Sequence, residues 1–139
     1  RTGPALVENS SLDAFAAMRF QTAVSQFTIS DYGFDRQAAA FFGDTVSSYN
    51  EEILYPSSFT PYQFAAYLGQ SAPGHWNELT NPSYRQFGYF LGTGPAVVVN
   101  DCSVTEITSM NINITQFAIQ HGCDYKVQNV IYLIIVLSS

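Results

Sequence analysis

The run Val130-Ile131-Tyr132-Leu133-Ile134-Ile135-Val136-Leu137 constrains this chain more than any other segment. Its eight apolar residues fall far short of the roughly twenty that a membrane-crossing helix needs. Its β-branched content reads instead as a strand buried on both faces. Such a strand needs cover above and below, so helices are expected on both faces of its sheet.

The first half of the chain supplies helices. Ser10 and Ser11 are placed to cap one, with Asp13 in its first turn. Leu12, Phe15, Ala16, Arg19, Phe20, Ala23, Val24 and Phe27 recur at three- and four-residue spacing, which predicts an amphipathic helix of about sixteen residues. The segment Thr28 to Gly33 ends it, with Gly33 free to take a positive φ. An alanine-rich helix follows over roughly Asp35 to Phe42 and stops near Gly43. A third starts at Thr60 as N-cap, with Pro61 in the first helical position, Gln63 completing a capping box, and Phe59 and Phe64 placed as a hydrophobic staple. It runs through Tyr67 and stops before Pro73. A short helix near His75-Trp76 follows Gly74 and ends at Asn81-Pro82.

Strands dominate the second half. Phe87 to Leu91 and Ala96 to Val99 read as two strands separated by Gly92-Thr93-Gly94-Pro95. Asn113 to Ile119 alternates and predicts another, and Tyr125-Lys126-Val127 leads into the final apolar strand. Helices first and strands after argue for an α+β or sandwiched sheet rather than alternating βαβ units. No repeat or linker divides the chain, so residues 1–139 form one domain.

Charged residues make up 12% of the chain, about half the usual share, while aromatics reach 15% with eleven Phe and nine Tyr. Hydroxyls and amides must therefore cover the surface, a composition that suits extracellular, adhesive or assembled proteins. Net charge is −6, and the cations are Arg1, Arg19, Arg36, Arg85 and Lys126 alone. That balance excludes phosphate-neutralising roles, so neither nucleic acid nor an anionic membrane surface is a fitting partner.

Cys102 and Cys123 can form one bridge, closing a loop of about twenty residues and worth roughly 3 kcal/mol in the chain-entropy model. Two buried thiols of a cytosolic protein are the alternative. Asn9-Ser10-Ser11 and Asn113-Ile114-Thr115 are N-glycosylation acceptors in a secretory context. With scarce lysine and a start at Arg1 rather than Met, these features point to a processed, secreted protein.

Three blocks resemble the CAP superfamily of cysteine-rich secretory, antigen 5 and pathogenesis-related 1 proteins, in particular its short, disulfide-poor members. The first is the helix from Leu12 to Phe27 leading into Ser30-Asp31-Tyr32-Gly33. The second, Asn50-Glu51-Glu52-Ile53, is similar to the family's Gly-Glu-Asn-Ile/Leu block. The third and most specific runs from Phe64 to Gly88, where a helix, Ser-Ala-Pro-Gly-His, Asn-Pro and a glycine-bearing strand follow in the family's order. The resemblance implies an α+β fold, a three-layer α-β-α sandwich. It also implies a central cleft lined by two histidines and two acidic residues that can hold a divalent metal.

His75 matches the second histidine and Glu51 one acidic residue, but Asp31 stands where the first histidine belongs. Asp35 or Asp44 falls near the remaining acidic position. One imidazole and two carboxylates from Asp31, Glu51 and His75 could hold zinc or a harder cation. The favoured reading of these residues is a hydrogen-bonded polar cluster that orders the cleft, and no resident cofactor is expected. His121 reads as a turn residue beside the bridge.

Ser71, four residues before His75, lacks a nucleophile elbow and an orienting third group. No catalytic residue is therefore assigned. The expected function is non-enzymatic: an extracellular or cell-surface binding or structural protein whose Tyr-rich, weakly charged surface contacts itself or another protein. Rival expectations are a sterol or fatty-acid carrier with an aromatic groove around Phe41, Phe42, Tyr49, Tyr55, Phe59, Tyr62, Phe64 and Tyr67, and a metal-dependent hydrolase using His75 with Glu51.

Overall fold

Asn9, not the serines that follow it, starts the first helix. In this computed structural model, which describes residues 4–27, 33–43, 49–54, 62–63, 66, 73–100, 119–120 and 122–139, Asn9 has extended backbone. Its Oδ1 accepts hydrogen bonds from the backbone N–H groups of Ser11 at 2.8 Å and Leu12 at 3.3 Å. An Asn cap satisfies two orphan donors at once and also leaves Nδ2 free to donate to Gln86 Oε1 at 2.9 Å. A serine hydroxyl could not have reached both the helix and the sheet.

Helix α1 spans Ser10–Ser25, the predicted length, with Asp13 in its first turn. It ends before the predicted Thr28–Gly33 stop. Phe27 takes φ 58° just beyond the cap residue Gln26, a left-handed position more often held by glycine. Its carbonyl accepts from the backbone N–H of Val97 at 2.7 Å, which ties the helix end to the sheet. Helix α2, Phe34–Phe42, lies between Gly33 and Gly43, both at positive φ. Helix α3 is Pro73–Leu79 and begins two residues before the predicted start, with proline in the first helical position.

The sheet has four strands among the described residues: β1 (Val7–Glu8), β2 (Tyr49–Leu54), β3 (Gln86–Asn100) and β4 (Asp124–Ser138), in the order β1-β3-β4-β2. Strands β3 and β4 pair antiparallel over their full fifteen residues, from Gln86 opposite Ser138 to Asn100 opposite Asp124. On one outer side β2 pairs antiparallel with β4, and on the other β1 pairs parallel with β3. Two strands thus come from the first half, correcting the expected division into helices and then strands.

A second correction is larger. Gly92-Thr93-Gly94-Pro95 is not a turn; β3 runs straight through it. A Cβ at Gly88 would overlap the Leu12 carbonyl carbon and the Asp13 nitrogen of α1. One at Gly92 would stand 2.7 Å from Phe20 Cζ, and one at Gly94 2.9 Å from a Val24 methyl. These glycines share one face of β3 and form a trough in which α1 lies along the strand. They are there for close approach, not for turning. Pro95 is tolerated because the backbone groups of odd-numbered β3 residues face away from β4, so no ladder bond is lost.

The core follows. Leu12, Phe15, Ala16, Phe20 and Ala23 of α1 close onto Ala96 of β3 and onto Val130, Tyr132, Ile134 and Val136 of β4. Phe20 lies 4.8 Å from Phe90 and 5.6 Å from Tyr132 between ring centroids. The opposite face is less enclosed than expected: Ile131, Leu133 and Ile135 are only half-buried, although Leu137 is fully so. Helix α2 packs on α1 through Phe15, whose ring meets Phe34, Phe41 and Phe42 at 5.1–5.6 Å.

Arg19 is buried in that helix pair. Its Nη1 donates to Gln37 Oε1 at 2.8 Å, its guanidinium carbon lies 5.6 Å from the centre of the Phe34 ring, and Gln37 in turn reaches Thr22. A delocalised cation with a neutral acceptor and an aromatic face is the type that tolerates burial.

Of the predicted third helix, Tyr62, Gln63 and Ala66 are helical, and Thr60, Pro61 and Phe64 lie outside the described residues. Ile119, expected to end a strand, is helical instead; the rest of that segment lies outside. No described helix is long and apolar enough to cross a membrane.

Gly88→Ala should force α1 off the sheet and lower unfolding stability by about 1–3 kcal/mol in chemical denaturation. Gly74→Ala, whose new methyl meets nothing within 4 Å, should be neutral or stabilising by up to about 1 kcal/mol.

Candidate functional site

His75 is the third residue of α3 and is half-buried. Glu51 lies in β2 with its backbone opposite Val136 of β4. Asp31, Asp44, Ser71, His121, Cys102 and Asn113 lie outside the described residues, and Asp35 is exposed in the first turn of α2. No group of three His, Cys, Asp or Glu side chains that could hold a metal occurs among the described residues. The donor set from the sequence, one imidazole with two carboxylates, also departs from a two-histidine site, and no reaction step is assigned to it.

Cys123 is buried at the threshold of β4 and carries no free thiol. Gly122, at φ 67°, forms a turn just before it. Asn9, read as a glycosylation acceptor, is occupied structurally: the same amide caps α1 and joins Gln86. Of the aromatics proposed to line a groove, Phe42 stacks on Tyr49 at 4.7 Å and Phe41 packs edge-on to Phe42, so these three belong to the packing beneath α2. Tyr62 is exposed, and Tyr55, Phe59, Phe64 and Tyr67 lie outside the described residues.

A different constellation forms where β1, α1 and β3 meet, and the sequence reading missed it. Asp13 Oδ1 accepts a hydrogen bond from the backbone N–H of Tyr89 at 2.8 Å, on the side of β3 that faces away from β4. Glu8, the last residue of β1, lies beside the same Asp13. Hydrogen bonding toward Asp13 and the Asp13 charge, with a smaller contribution from burial, raise the Glu8 carboxyl above the ordinary glutamate value. The two carboxyl groups stand together beside a row of exposed apolar residues: Val7, Tyr89 and Leu91. The only signal in the sequence was indirect, a charge-free fifteen-residue strand following an acidic pair eight to thirteen residues into the chain. Chemically the arrangement offers acceptors for a cation next to apolar surface and open backbone; it holds no nucleophile.

No family model matches the sequence, and no curated protein matches it. Among solved structures the chain is similar to a cysteine-rich secretory protein from Staphylococcus aureus, at 18% identity and a TM-score of 0.51. The likeness covers 99% of this chain and 33% of that protein, so the chain spans a third of its structural relative. The similarity is one of fold alone, and the described residues form an α+β arrangement.

Because the folded state holds the Glu8 proton to higher pH than the unfolded chain does, its contribution is present below the ordinary glutamate pKa. It is lost as pH rises through the raised folded value. Glu8→Gln should therefore flatten the fall in Tm over that window and leave the variant the more stable form at neutral pH. Thermal melts from about pH 3 to 8 test this; an unchanged pH profile would count against the raised Glu8 pKa.

Proposed function

We propose that this chain is a secreted, non-enzymatic CAP-like domain, a three-layer α-β-α sandwich, that binds protein at the cell surface or outside the cell and assembles with itself. One observation carries the reading. Val7, Tyr89, Leu91, Tyr125 and Val127, all 41% exposed or more, lie on three neighbouring strands of a domain with few charges. Tyrosine-rich, charge-poor surface is what protein interfaces select. The likeness to a cysteine-rich secretory protein supports the extracellular setting, as does the sequon at Asn113.

In this reading Asp31, Glu51 and His75 order the cleft as hydrogen-bonded polar residues, without a catalytic role. Cys102 and Cys123 form the bridge, which reduction should remove at a cost of roughly 3 kcal/mol, seen as a lower Tm with reductant than without. Size-exclusion chromatography with light scattering tests the assembly directly. The expected result is a mass above the 15.4 kDa of one copy that rises with concentration. A monodisperse monomer at high concentration would overturn self-assembly. His75→Ala should leave the assembly unchanged.

A further inference from the structure

Strand β3 is covered unevenly. Strand β4 pairs with it along its whole length, but on the other side β1 reaches only Gln86 and Phe87. Residues of odd number aim their backbone groups at that outer side. At one end the Phe87 carbonyl accepts from Asn9 N–H at 2.8 Å, and Tyr89 N–H donates to Asp13. At the other, Pro95 has no N–H, its carbonyl accepts from the Tyr132 hydroxyl at 2.8 Å, and Val97 N–H donates to the Phe27 carbonyl at 2.7 Å. Between these closed ends stand Leu91 and Thr93, whose N–H groups have no partner among the described residues.

Natural sheets blunt an open edge with charge, proline or a covering segment. Among the described residues all such devices flank Leu91 and Thr93 and none lies on them. No residue from Gln86 to Asn100 is charged, and Leu91 is 57% exposed.

We propose that the outer edge of β3 at Leu91 and Thr93 takes an added strand, a short extended segment of a partner protein that sets an apolar side chain beside Leu91 and a basic one against Glu8 and Asp13. The window admits about three residues, roughly 10 Å of strand. That length selects the occupant. A second copy's fifteen-residue β3 would run into β1 at one end or into Phe27 at the other, whereas a short segment enters and leaves freely. Main-chain bonds to Leu91 and Thr93 hold such a segment in the manner of strand addition, and side chains set its identity. The acidic pair beside Tyr89 sets the charge: it presents two carboxylates that repel each other and that a cation relieves. The proposal rests on reading the chain as a binding protein and gives that reading a site and a partner chemistry.

A capped hexapeptide of alternating valine and threonine with one terminal lysine is the probe. With saturating peptide, amide hydrogen exchange at Leu91 and Thr93 of the full chain should slow at least tenfold; unchanged rates at both overturn the proposal. Thr93→Pro should weaken binding at least tenfold while the protein stays folded, because β3 already accepts proline at the outward position 95. Should that variant fail to fold, the exchange result on the unmodified chain decides. Replacing the peptide's lysine with glutamate should weaken binding at least fivefold, and equal binding of the two peptides overturns the part assigned to Glu8 and Asp13.

Light scattering separates this proposal from the broader one. A chain that assembles but does not protect Leu91 and Thr93 with peptide refutes the edge site alone. Assembly that Thr93→Pro abolishes, with no peptide binding, assigns the edge to a second copy and overturns the partner proposed here. A chain that neither assembles nor binds peptide overturns both.

Discussion

Helix α1 lies against the backbone of β3 because residues 88, 92 and 94 have no side chains to hold it away. That contact organises much of the described molecule. It brings Asn9 within reach of Gln86 and Asp13 within reach of Tyr89, and it lets Phe27 close on Val97. It also sets the depth to which Phe20 enters between Phe90 and Tyr132. Burial of Leu12, Phe15 and Phe20 contributes on the order of 1.5–3 kcal/mol each, against about 1 kcal/mol for the Asn9 cap. The cap and the edge bonds therefore set register and direction more than they set stability.

The same contact explains which parts of the fold were legible in the sequence. The apolar stripe of α1 and the β-branched run of β4 each declare their partner surface, and both elements stand where periodicity put them. Gly92-Thr93-Gly94-Pro95 was misleading because glycine and proline mark turns when local conformation governs them. Here glycine answers to a helix some seventy residues away in sequence, and proline to an edge without a ladder bond. Neither cause has a local signature. Strands β1 and β2 escaped for a related reason: two residues are too few for a pattern, and Asn50-Glu51-Glu52 opposes strand propensity that pairing with β4 overrides.

The site was less legible than the fold. A histidine on a Pro-Gly frame is conspicuous, and α3 forms around it as expected. Whether a histidine acts depends on what the fold brings beside it; of the other members of that expected set, Glu51 stands in β2 and Asp31 lies outside the described residues. The Glu8–Asp13 pair was inconspicuous for the opposite reason. Five residues apart, one at a strand end and one in a helix's first turn, the two read separately as a strand terminus and as a dipole-compensating aspartate. Only the tight passage from β1 through Asn9 into α1 brings them together.

The two edges of the sheet differ in a way that bears on how the surface is used. At the β2 edge, the six residues from Tyr49 to Leu54 include adjacent glutamates, so a like edge from another copy would meet like charge. At the β3 edge, fifteen residues carry none. A domain with so few charges has few means of keeping strands apart, and it spends carboxylates on one edge while closing the other with backbone contacts and a proline. Those contacts stop short of Leu91 and Thr93. A sequence under pressure only to stay monomeric could close the gap with one lysine on the exposed face. The absence of charge there, beside an acidic pair with its own unrelieved repulsion, is the configuration expected where a strand is meant to be received.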